Sequence, residues 1–355
     1  MKYPDIVKEI DEIASEIKNE IKKDRYKKMK SKCKDLCNKR SELSKLDGCL
    51  GLPQDISLPF FAYGIFKPGQ VSFSRILPFV KSIEKDEIEY SLYERDGIPT
   101  VFEEDNKHKT EGYIISFKQD KSEDAYDIIR EIESKTFYKW AKKPIFTKNG
   151  KEVNMLFGKK HENSNPIHIS DNYDGINDVF FKEAIALIAS DMRKYKAGNT
   201  GFKNFFELQR NYMLLWTVIE RYNSLKYGEN SKTANNKELA KEKNFQSALK
   251  LILKKENNKD NQRIIFSSKD LKRKCLNPDD AESSIGYYYT MRSNVVHRGK
   301  SVIPTDEENL RKSLLELLMI FQLVLKDTFK EYQIKNINYK ISGIGLNNKL
   351  TLVDI

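Results

Sequence analysis

The chain has 355 residues, enough for two modest domains and an appendage, and its 63 Lys and Arg outnumber its 52 Asp and Glu for a net charge of +11. That balance favours polyanionic partners, nucleic acid above all, although the coding bias of an AT-rich genome produces the same Lys-rich composition. No apolar run approaches the roughly 18–20 residues that cross a bilayer, and residues 1–20 carry no secretory apolar core, so no membrane association is expected.

The four cysteines (Cys33, Cys37, Cys49 and Cys275) lack framework spacing. Cys33 and Cys37 lie one helical turn apart, a poor disulfide geometry and only half a metal site. A reduced cytoplasm is the expected setting, with no cofactor and no metal.

Residues 1–50 read as a basic amphipathic helical segment. Ile6, Ile10, Ile13, Ile17 and Ile21 recur at spacings of four and three, one apolar stripe on a charged surface. From Lys22 to Arg40, ten basic residues face two acidic ones. That is a solvated helix face or an RNA contact, with only Tyr26 as an interleaved aromatic. Asp47-Gly48 and Gly51-Leu52-Pro53 end it.

Residues 56–158 change character. Short β-prone runs (Leu58 to Phe66, Glu87 to Glu94, Thr100 to Phe102, Gly112 to Phe117) alternate with Gly and Pro, and Ser122 to Ser134 is one amphipathic helix. The expected fold class is α+β, with this region a small mixed-sheet domain. Residues 159–175 are polar and turn-rich, a linker by composition.

From 176 to 335 the pattern is helical. Phe180, Ala184, Leu187, Ile188 and Met192 form one stripe, and Leu208, Tyr212, Leu215, Trp216, Ile219 and Tyr222 a second. Lys237 to Lys255, Ile285 to His297 and Asp306 to Tyr332 complete an expected all-α bundle. Residues 336–355 alternate like a small hairpin or an edge strand. His108, His161 and His168 lie in polar loops and read as solvated.

The segment Phe60-Phe61-Ala62-Tyr63-Gly64-Ile65-Phe66 suggests a strand whose glycine lets main-chain N–H donors approach an anion. Leu92-Tyr93-Glu94-Arg95-Asp96-Gly97-Ile98-Pro99 and a helix ending in Glu133 before Phe137-Tyr138 follow in order. This sequence of landmarks resembles the γ-glutamylcyclotransferase-like family. The resemblance implies a cradle at Tyr63, Gly64, Ile65 and Phe66 for a ligand carboxylate, and Glu133 as the base on the α-amine that attacks the γ-carbonyl and releases 5-oxoproline. Arg130 and Lys135, close in sequence, are expected to lower the Glu133 pKa.

Arg292 precedes His297 by five positions, with Val295 and Val296 between them. On a helix the two are about 140° apart, so they line one groove only if a second helix, or a second copy of this one, closes it. A guanidinium that holds phosphate and an imidazole that moves protons near neutral pH suit phosphodiester chemistry. Together with Arg210 to Glu220, this R-x4-H resembles the HEPN superfamily, in its abortive-infection-related subgroup. There the motif stands at the start of a late helix in a four- or five-helix bundle.

The HEPN resemblance implies metal-independent RNA cleavage by a homodimer. His297 is the general acid or base, Arg292 the phosphate ligand, and Glu220 the orienting carboxylate of His297 or the partner of Arg292. Active members carry Asn, Asp or His directly after the arginine; here Ser293 stands there with Asn294 next, and Asn294 joins the candidate set. The expected function is an RNA-cleaving, toxin-like effector of a stress or phage-defence kind, regulated by the cyclotransferase-like domain, with room for a cognate inhibitor protein. The alternatives are a γ-glutamyl-amine cyclotransferase that dimerises through the bundle, and a non-catalytic RNA- or partner-binding module.

Overall fold

The computed structural model describes residues 8–16, 50–161, 166–169, 171–195, 202–228, 231–253, 263–267, 271–298, 304–335, 339–340 and 349–350. The basic face from Lys22 to Arg40 and Cys33, Cys37 and Cys49 lie outside them. The fold is mixed α and β, and no helix among the described residues is long and apolar enough to cross a membrane.

Helix α1 covers 8–16, with Ile10 buried. Strands β1 (Phe60–Ala62), β2 (Val80–Ile88), β3 (Leu92–Arg95), β4 (Ile98–Val101) and β5 (Thr110–Phe117) follow. In place of one mixed sheet, the described residues here form two three-stranded and two two-stranded antiparallel sheets, the latter pairing Tyr138–Trp140 with Leu156–Gly158 and Ile145–Phe146 with Glu152–Val153. One three-stranded sheet has the order β1-β5-β2, and in the other β3 lies between β4 and Ile167–His168. One isolated parallel bridge joins Phe60 to Asn154. The β3–β4 hairpin is as tight as its sequence dictates: Arg95 pairs with Ile98, and Asp96 (φ 55°) and Gly97 (φ 74°) supply the left-handed two-residue turn.

Helix α2 (Ser122–Ile132) buries Ala125, Tyr126, Ile129 and Ile132 against the β1-β5-β2 sheet core. The expected linker 159–175 is instead part of the fold. Ile167–His168 pairs with β3, Asp171 accepts a backbone hydrogen bond from Glu111 at 2.7 Å, and Tyr173 is buried. Composition marked this stretch as polar, but Asp171, Asn172 and Asp174 accept hydrogen bonds from elsewhere in the molecule.

The helical part comprises α3 (Ile185–Lys194), α4 (Phe202–Tyr227), α5 (Lys232–Lys241), α6 (Lys243–Leu253), α7 (Ala281–Arg298) and α8 (Pro304–Thr328). The stretch expected as one helix from Lys237 is two, broken at Glu242, whose extended backbone (ψ 131°) ends α5. Leu187 is exposed rather than inward. Tyr212, Trp216, Ile219 and Tyr222 of α4 and Leu314, Leu317, Leu318, Phe321 and Leu325 of α8 form the fully buried centre. Trp216 and Tyr212 are therefore core residues. A hairpin of Ile264–Phe266 and Arg273–Cys275, absent from the sequence expectation, leads into α7. Tyr339–Lys340 pairs with Lys349–Leu350 in the tail.

One hydrophobic cluster runs from Leu50 to Tyr332 through both regions. Polar latches tie them further: Ser72 Oγ donates to the Leu225 carbonyl at 2.6 Å, and Arg221 of α4 donates to the Asp96 carbonyl in the β3–β4 turn at 2.8 Å.

Candidate functional site

The β1 strand stops at Ala62, and the chain turns away through Tyr63, Gly64, Ile65 and Phe66. These four residues and Glu133, at the C-cap of α2, line one pocket, with Ile98, Pro99 and Tyr138 on the opposite wall. Sequence positions separated by some seventy residues thus converge. Gly64 is required by space: a β-carbon there would lie 2.6 Å from Pro99 Cγ. Among the described residues the backbone N–H groups of Gly64, Ile65 and Phe66 make no hydrogen bond, the arrangement an anion nest needs. The pocket as it stands encloses about 20 Å³, room for about one water.

Glu133 is half-buried, and its carboxyl has no hydrogen-bond or ion-pair partner among the described residues. Desolvation pushes it up to about 8, and only the charge of Arg95 opposes the rise. The expected lowering by Arg130 and Lys135 is therefore overturned. Arg130 is engaged by Asp127 at 2.8 Å, and the cation that matters comes from the β3–β4 hairpin. Arg95 is itself buried, donates to the Lys159 carbonyl at 2.9 Å and lies over the Phe137 ring at 4.8 Å, leaving Nη2 unpartnered. The phenols around Glu133 are held protonated. Burial first, and the Glu133 charge second, raise Tyr63 and Tyr138, which donate to the carbonyls of Leu156 (2.8 Å) and Pro99 (2.7 Å).

The loop beyond the nest is pinned by Lys67. Its ammonium is buried, donates to Asn172 Oδ1 and to the Tyr173 carbonyl at 2.5 Å, and is lowered to about 8 by desolvation, with Asp174 and Glu111 resisting. Neither Arg95 nor Lys67 was legible as a site residue. Arg95 stands inside the Leu92–Pro99 segment and Lys67 directly follows Phe66, but nothing in their spacing announces burial.

The second candidate set lies on α7. That helix runs unbroken to Arg298, so Arg292 and His297 occupy its last two turns, not the start of a late helix as the resemblance implied. Position 297 lies about 140° around the helix from 292; the His297 side chain is outside the described residues. Arg292 is directed at α4. Its Nη2 lies 3.4 Å from Glu220 Oε1, its guanidinium 5.8 Å from the Tyr289 ring centre, and its Nε is buried without a partner. Glu220 also accepts from Lys232 at 2.6 Å. Of the two expected roles for Glu220, the described geometry places it against Arg292.

Asn294 is set apart from this group. It is 1% exposed and donates to the Phe266 carbonyl at 2.9 Å, fastening the Ile264–Phe266 strand to α7. It lines an apolar pocket of about 240 Å³ with Phe205, Ile265, Tyr287, Met291 and Leu310. Two positions along a helix is a rotation of about 200°, which is why Asn294 and Arg292 face different neighbours. Beside Glu220 lies a polar pocket of about 330 Å³ whose wall includes Lys232, Asn223, Asn235 and Asn236. Sequence reading missed these. The buried Asn235-Asn236 pair in the weakly amphipathic α5 was the available signal.

No family model matches the chain, and no curated protein and no solved structure matches it.

Proposed function

We propose that this chain is an RNA-cleaving effector of the HEPN kind, serving a stress or phage-defence system, with its γ-glutamylcyclotransferase-like half as the regulatory part. The observation that supports this most directly is the Arg292–Glu220 contact at 3.4 Å, which holds a guanidinium beside a polar pocket. In this reading Arg292 takes a phosphate oxygen and the negative charge gained as the 2′-oxygen attacks phosphorus. The His297 imidazole accepts the 2′-hydroxyl proton, and an imidazolium, from the same residue or its copy in a second subunit, returns a proton to the departing 5′-oxygen. The products are a 2′,3′-cyclic phosphate and a 5′-hydroxyl end. Metal independence, the homodimer and the location in the cytoplasm come with the HEPN resemblance. Inducible expression of wild type and His297→Ala tests it: growth arrest and fragmented RNA are expected with wild type alone, and equal growth with intact RNA in both rejects it.

A second reading, a γ-glutamyl-amine cyclotransferase, is favoured by the unpaired Glu133 carboxyl held at about 8 beside three free backbone donors. A pocket of about 20 Å³ must widen before a γ-glutamyl group enters. Release of 5-oxoproline from γ-glutamyl peptides, abolished in Glu133→Gln, is its expected signature. Absence of turnover in wild type removes it and leaves the pocket a regulatory one.

A further inference from the structure

Between α4 and α5 lies the polar pocket of about 330 Å³, whose wall (Glu220, Asn223, Ser224, Lys232, Asn235 and Asn236, closed by Gly228) contains no apolar side chain among the described residues. Two of its amides are oriented by their neighbours. Asn223 Nδ2 donates to Asn236 Oδ1 at 3.1 Å, and Asn235 Nδ2 donates to the Gly228 carbonyl at 3.2 Å. Their oxygens are thereby left as acceptors, and both are buried and accept from no group among the described residues. The residues are 2% and 6% exposed, so bulk solvent does not serve them. A buried acceptor without a donor is costly, and a wall with two of them calls for a ligand that donates.

The charges call for a second feature. Glu220 carries one negative charge against two cations, Lys232 at 2.6 Å and Arg292 at 3.4 Å, which leaves one positive charge in excess. Lys232 opens the ten-residue α5, whose N-terminal end adds to the positive potential on that side. A molecule that offers N–H donors at one end and an anionic group at the other answers both needs.

We infer that this pocket is a nucleotide subsite, in which Lys232 with Arg292 takes a phosphate and the Oδ1 atoms of Asn223 and Asn235 take the exocyclic amine of a base. The inference rests on the ribonuclease reading of Arg292. Adenine, cytosine and guanine offer an exocyclic amine; uracil has none, so uracil is the base the pocket selects against. Glu220 is the group an incoming phosphate displaces from the two cations.

The test is binding of short 2′-O-methyl oligonucleotides of A, C or U, which cannot be cut, to the full chain. A and C are expected to bind about tenfold tighter than U. Lys232→Ala weakens all three by a similar factor and flattens the salt dependence. Asn235→Ala removes the preference while leaving the U affinity in place. Should Asn235→Ala fail to fold, Ser224→Trp, at an exposed position on the pocket wall, fills the mouth and is expected to erase the same preference.

Equal affinity for the three oligonucleotides overturns the subsite, as does a preference that survives Ser224→Trp or no binding at all. Cleavage is scored separately on natural RNA. Intact RNA with the base preference retained rejects the nuclease and keeps the subsite; fragmented RNA without a preference rejects the subsite alone.

Discussion

Gly228 abuts the backbone of Glu131: a β-carbon on Gly228 would lie 2.3 Å from the Glu131 carbonyl oxygen and 3.1 Å from Ile132 Cα. Gly228 closes the polar pocket beside Arg292, while Glu131 and Ile132 are the last helical residues before Glu133. The end of α2, next to Glu133, therefore packs directly on the backbone that borders the polar pocket. Gly228 also has φ 77°, in the left-handed region where a side chain is strained.

Gly228→Ala is expected to destabilise the fold by about 2–4 kcal/mol, from backbone strain plus the forced separation of α2 from the end of α4. Urea unfolding measures it. A loss below about 0.5 kcal/mol would show that this close contact yields freely.

Arg221, which reaches the Asp96 carbonyl of the β3–β4 turn, is held in place by Asp178. Arg221 Nε and Nη2 donate to Asp178 Oδ2 at 2.9 and 2.8 Å, and the Asp178 side chain is fully shielded from solvent. Arg221→Ala strands that carboxylate and also releases the Asp96–Gly97 turn. A cost of about 3–5 kcal/mol is expected, larger than for the double variant Arg221→Ala with Asp178→Ala. A double-mutant cycle on chemical denaturation decides it, and strictly additive losses would contradict the pairing.

Glu133 makes stability depend on pH in a defined direction. Its folded carboxyl is raised from 4.5 to about 8, so across that window the folded chain keeps a proton the unfolded chain has lost. Stability contributed by this group therefore falls as pH rises from about 4.5 to 8. Glu133→Gln is expected to remove that slope and to be the more stable chain at pH 8, by on the order of 2–4 kcal/mol. Unfolding midpoints at several pH values between 5 and 8 provide the comparison; parallel curves for the two chains would refute the raised pKa.

Arg292 is expected to be intolerant of lysine. Its guanidinium bridges toward Glu220 and lies by the Tyr289 ring, and a point-charge ammonium reproduces neither the planar fork nor the stacking. RNA cleavage should fall about 100-fold or more in Arg292→Lys with the fold retained. Unchanged cleavage with a normal circular-dichroism melt would place the phosphate ligand elsewhere.

Much of this molecule could be read before its folding was known. The β-prone run from Gly112 to Phe117 and the apolar stripes of α2, α4 and α8 depend on local periodicity, and the structure has a strand or helix at each of these places. The Tyr63-Gly64-Ile65-Phe66 turn and Glu133 were paired in the sequence through the family resemblance, and in the structure they line one pocket.

What tertiary structure decided is which charges and polar groups meet. Arg130 and Lys135 flank Glu133 in the chain, yet it is desolvation and the distant Arg95 that govern its proton. Asn294 follows Arg292 by two positions and faces another pocket, while Glu220, 72 positions earlier, is its contact. Residues 159–175 have the composition of a linker, while 166–169 and 171–175 make the bonds of a packed segment. Periodicity is a property of neighbours along the backbone. Desolvation and Coulomb energy depend on distance through space, which only the folded chain sets.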